Sequence, residues 1–112
     1  MELVVEIYTL TKDFPTEEKY GLASQMKRAA VSIPSNIAEG RRRGSRKDFG
    51  HFLLIAYASG AELETQLEIT KRLHLCKEGA YFNSDALLGE IMKMLNVMLT
   101  KLKSEQPNQL IS

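Results

Sequence analysis

Five cationic side chains stand within seven residues: Arg41, Arg42, Arg43, Arg46 and Lys47. A guanidinium is planar, permanently charged and matched to pairs of phosphate oxygens, whereas a lysine ammonium acts as a point charge. Their chemistry is therefore the binding of a phosphate backbone and not the making of a bond. Four or five such contacts give a log affinity that falls against log salt with a slope of about −4 per subunit. Lys27 and Arg28 are second candidates for the same role. No aromatic residue interleaves the run, so it predicts neither base stacking nor strong sequence preference. The same charges also suit a solvated junction that compensates the C-terminal end of a helix.

A second group is polar and not purely cationic. Arg28, Ser32, Ser35, Asn36, Glu39 and Arg43 follow one another at steps of three, four and one, which keeps them on one side of a helix. Ser59, Glu62 and Gln66 form a comparable line further on. Hydroxyls, amides and carboxylates so placed build either a ligand site or a satisfied network between helices. The network is the better reading, because Pro34 removes a backbone donor in the middle of the line and frees a carbonyl.

Enzyme chemistry finds little support. There is no E-x-x-H pair for a carboxylate-bridged metal, no G-x-S-x-G and no phosphate-binding glycine loop, and His51 and His74 are 23 residues apart. Cys76 has no partner for a disulfide and no base beside it. The expectation is no enzyme, no cofactor and no metal, with a hydrolase or metal enzyme around Glu39 and Glu62 as the reading to be tested against.

The chain that must position these groups has 112 residues, 44% hydrophobic and 26% charged, with seven glycines and three prolines. That suits one domain, residues 1–103, followed by a polar tail, 104–112. A net charge of +1 conceals +6 within residues 27–47 and −5 over the rest. The single cysteine points to a reducing, cytoplasmic setting. No apolar run is long enough to span a bilayer, and no basic segment with a cleavage site opens the chain, so neither membrane insertion nor secretion is expected.

Helical periodicity runs through almost all of it. Leu3, Val4, Ile7, Leu10 and Phe14 mark a first helix that Pro15 stops. Thr16-Glu17-Glu18 predicts the start of a second, with a stripe of Tyr20, Ala23, Met26, Ala30, Ile33 and Ile37, a kink at Pro34, and an end at Gly40 to Gly44. Ser45-Arg46-Lys47-Asp48 has the form of a capping box and opens a third helix. Its core stripe is Phe49, Phe52, Ala56, Leu63, Leu67 and Thr70. A different face carries Leu54, Tyr57, Ala58, Ala61 and Thr65, and a helix apolar on two faces predicts self-association. Asn83 or Ser84 caps a fourth helix facing the core with Leu87, Leu88, Ile91, Leu95, Met98 and Leu102. The fold class expected is all-α, an antiparallel up-down four-helix bundle.

Longer strings carry a resemblance. Phe14-Pro15 with Glu18 and Tyr20-Gly21-Leu22, Gln25-Met26-Lys27-Arg28-Ala29-Ala30, Ser32-Ile33-Pro34-Ser35-Asn36-Ile37-Ala38-Glu39-Gly40 and Glu62-Leu63-Glu64-Thr65-Gln66-Leu67 together resemble the four-helix-bundle family named for the intervening sequence of 23S ribosomal RNA. The resemblance implies a ring-like homopentamer, often encoded within ribosomal RNA insertions, with no established reaction. Relatives include accessory subunits of diversity-generating retroelements, which bind nucleic acid and a reverse transcriptase. The function expected is a non-enzymatic nucleic-acid-binding accessory, RNA before DNA. The alternative is a protein-interaction scaffold without nucleic-acid binding.

Overall fold

The computed structural model describes residues 1–104. The expected tail, from Glu105 onward, lies outside the described residues, and Ser104 closes the last helix instead of opening the tail. The elements are α1 (Glu2–Thr11), a single turn α2 (Thr16–Lys19), α3 (Leu22–Arg43), α4 (Arg46–Arg72) and α5 (Phe82–Ser104). The four long helices pack as a rod of 52 × 21 × 21 Å.

Side-chain pairs give the register. Along α3 and α4, Gly40 meets Phe49 and Phe52, the Ser32 and Ser59 hydroxyls share a hydrogen bond of 2.8 Å, and Thr70 Oγ1 lies 3.5 Å from Met26 Sδ. As one index falls the other rises, so the pair is antiparallel. Lys71 pairs with Asp85 at 2.6 Å, Gly60 packs under Met92, and Gly50 faces Leu102, so α4 and α5 are antiparallel as well. On α1, Tyr8 lies beside Lys27, while Leu3 and Val4 border Ile33 and Pro34 of α3 and Ile91 of α5. The centre is filled by Ile7, Met26, Ile33, Leu53, Leu63, Leu67 and Leu95, all fully buried. Closing four apolar stripes on one another is what makes the helices stable, since burial and not propensity holds most protein helices.

Several expectations need correction. The second helix does not run on from Thr16. Gly21, at φ −101° and ψ −101°, leaves the helical region and separates α2 from α3, and the break sets Tyr20 out of phase, so it stands 92% exposed instead of in the core. In α4 the buried position is Leu53, with Phe49 and Phe52 only half-buried at its edge. The last helix begins at Phe82, and Ser84 is fully buried with its Oγ unpartnered among the described residues instead of serving as a cap. The Ser45 cap is as its spacing predicts: Asp48 N donates to Ser45 Oγ at 3.1 Å. Pro34 lies inside α3, which continues through it.

Candidate functional site

The junction between α3 and α4 is a two-residue turn. Gly44 ends α3 in the left-handed region, φ 78°, where an L side chain is strained, and Ser45 then starts α4. A turn this short folds the chain back on itself. It brings the last turn of α3, Arg41 to Arg43, to the same end of the rod as Arg46 and Lys47, and all five side chains are exposed. Close approach of the helices beneath them is permitted by buried Gly40, where a Cβ would lie 3.0 Å from Phe52 Cβ and 3.4 Å from the Phe49 carbonyl.

The five charges are not equivalent. Glu39 accepts from Arg42 at 2.5 Å and from Arg43 at 3.0 Å, and the Arg43 guanidinium also lies over the Phe52 ring at 5.0 Å. The hydrogen bond from Arg42, then that from Arg43, holds the Glu39 carboxyl below the usual glutamate range. Arg46 is engaged as well. Arg41 and Lys47 make no ion pair among the described residues. Beside them, the first turns of α4 and the last turns of α5 border a groove of about 560 Å³ whose lining includes Arg46, Lys47, His51, Leu54 and Lys103 and, among the described residues, no carboxylate. Lys103 went unnoticed in the sequence, although its place in the last turn of an antiparallel neighbour was the available signal.

Other predicted residues fall elsewhere. Lys27 and Arg28 are about 21 Å from Arg41 and Arg42 at about 1.5 Å per residue, at the other end of α3. The polar line divides into separate units. Asn36 Nδ2 donates to the Ser32 carbonyl at 2.8 Å and to the Ser32 hydroxyl at 2.9 Å, and Ser32 in turn meets Ser59; these three bridge α3 to α4 beside Pro34. Ser35 is exposed and stands apart, Glu39 serves the arginines, and Glu62 accepts from Gln66 at 3.4 Å within its own helix. Leu54, Ala58 and Ala61 lie exposed on α4, while Tyr57 beside them is half-buried against the core.

Burial pushes the Cys76 thiol up, which disfavours the thiolate. Among the described residues no group of three His, Cys, Asp or Glu is placed to hold a metal ion, and no helix is long and apolar enough to cross a membrane. A family model described as 23S rRNA-intervening sequence protein matches residues 1–97. No curated protein matches the chain.

Proposed function

The chain belongs to the 23S rRNA-intervening sequence protein family, and from that premise we propose that it is a non-enzymatic, homo-oligomeric nucleic-acid-binding accessory of the cytoplasm that takes RNA through the α3–α4 junction. The observation carrying this reading is the exposure of Arg41, Arg42, Arg43, Arg46 and Lys47 at one end of the rod, next to a groove that Lys103 joins. Permanent cations at a rigid turn contact phosphates without ordering a long loop, which limits the entropy cost of binding. Homo-oligomerisation, pentameric by the family resemblance, is supported by the outward stripe of α4, where Leu54 is 59% exposed.

The outward apolar stripe also favours a second reading, a protein scaffold whose junction arginines meet acidic residues of a partner such as a reverse transcriptase. One titration separates the two. Fluorescence anisotropy of structured RNA, duplex DNA and single-stranded DNA is followed across a salt series, beside a variant carrying Arg41→Glu, Arg42→Glu, Arg43→Glu and Arg46→Glu and checked for unchanged helix content and assembly. Binding that weakens with a log–log slope of about −4 per subunit and is lost in the variant is expected. Absence of binding at low salt sinks the nucleic-acid reading and leaves the scaffold.

A further inference from the structure

At the end of α3 remote from the arginine junction, two hollows of about 390 and 500 Å³ adjoin. The Tyr8 ring, Lys19 and Lys27 form the wall common to both. Lys12 completes one hollow, while Tyr20 and Arg28 complete the other. Four cations and two tyrosines thus surround nucleotide-sized spaces, and the local carboxylates Asp13, Glu17 and Glu18 line neither.

The aromatic rings are available. Tyr20 is 92% and Tyr8 48% exposed, and Lys27 Nζ lies 5.1 Å from the centre of the Tyr8 ring, which leaves the ring supported from one side by a cation. Tyr20 stands free because Gly21 interrupts the helix that would otherwise have buried it. Ser24, Lys27, Arg28 and Val31 follow at helical spacing along α3, so the polar wall is one continuous helix face. Exposed rings among cations are what an unpaired strand requires, since its bases stack on π-faces while its phosphates meet ammonium and guanidinium groups. A duplex, whose bases are already stacked on one another, gains only the charge.

From this juxtaposition we propose that the Tyr8–Tyr20 hollows, edged by Lys12, Lys19, Lys27 and Arg28, bind unpaired nucleotides of a single-stranded nucleic acid. The inference rests on the nucleic-acid reading above and adds a site of different chemistry: the junction offers charge, with Phe52 half-buried beneath Arg43, whereas these hollows offer charge and free rings.

The test titrates wild-type protein, Tyr20→Ala, Tyr20→Phe and a Lys12→Glu/Lys19→Glu variant with labelled oligo(dT) of about 15 nucleotides and with a duplex. Poly-glutamate serves as an acidic polypeptide control. Tyr20 is 92% exposed, so its replacement leaves folding intact. Tyr20→Ala is expected to weaken oligo(dT) binding by about five- to tenfold and to leave duplex binding within twofold, while Tyr20→Phe restores the single-strand affinity. The chain has no tryptophan, so tyrosine emission is visible directly, and its quenching by oligo(dT) should fall in Tyr20→Ala. Unchanged oligo(dT) affinity and quenching in Tyr20→Ala overturn the proposal, as does poly-glutamate binding as tight as that of oligo(dT) and equally lost in the lysine variant. If the four-arginine variant loses duplex and single-strand binding together while Tyr20→Ala changes nothing, the junction stands and this site falls. If the arginine changes do nothing and the Tyr20 and lysine changes abolish binding, the junction falls and this site stands.

Discussion

Glu39 is the residue on which the charge of the junction turns. It is the one acid among the eight charged residues of the segment 27–47, and it holds Arg42 and Arg43 on their own helix. Its carboxyl titrates below the usual glutamate range; the stabilisation from the pairing is therefore complete above that range and is lost as pH falls through the lowered value. At neutral pH the pairs are intact, and a phosphate must compete for both guanidinium groups. Glu39→Gln removes the negative charge with little change of shape. Affinity for RNA at low salt should rise by about two- to fivefold, in line with the modest strength of exposed ion pairs, as read by anisotropy beside a thermal melt that shifts little. Weaker or unaltered binding would show that Arg42 and Arg43 do not meet phosphate. The Ser32–Asn36–Ser59 group is different in kind, because its Ser32–Ser59 bond crosses from α3 to α4, Asn36 supports Ser32 within α3, and all three are half-buried, where loss of one partner strands the others.

Among the elements, α3 and α4 have the most extensive contact, and Gly40 sets their spacing near the junction. An alanine there gains helix propensity of about 1 kcal/mol, yet its methyl would meet Phe52 Cβ at 3.0 Å and Phe49 Cδ1 at 3.1 Å. A Cβ cannot swing away as a side-chain tip can, so the two helices must part. Gly40→Ala should therefore destabilise by about 1 kcal/mol net, measured by urea unfolding, and it should reduce binding at the junction above it. A gain in stability would mean that the pair yields freely. Gly60 offers the contrast. A Cβ there would collide with Met92 Sδ, which lies on a flexible chain able to move aside. At the other end of α4, the Lys71–Asp85 pair ties α5 in place, and Lys71 also lies 4.7 Å from the Tyr81 ring.

For the whole molecule, assembly is the open question that the surface itself raises. Leu54, Ala58 and Ala61 lie exposed on α4 beside half-buried Tyr57, and the small residues permit a second helix to approach. Leu54→Glu with Ala61→Glu places charge on exposed positions only, so helix content should persist while light scattering falls from an oligomeric mass to the 12.6 kDa of one chain. Wild-type protein already monomeric at micromolar concentration would remove the stripe as an interface. The four long helical segments, the Ser45 cap and most of the apolar core were legible in the residues because each depends on spacings of three and four within one segment, whereas the place of Leu53 in the core, inside Phe49 and Phe52, was not. The resemblance to the family was legible in strings such as Ser32 to Gly40 for the same local reason. Tyr20 was misplaced because a single glycine decides whether two periodic stretches share one phase. Lys103 was missed, and the polar line was read as one group, because the meeting of side chains from distant segments depends on the register between helices, which no spacing along the chain encodes. By itself the sequence determined the long helical segments, most of their inward faces and the concentration of positive charge. Only the tertiary structure decided which charges stand beside the groove and which gather with exposed tyrosines at the far end, because those choices follow from close packing of one helix against another.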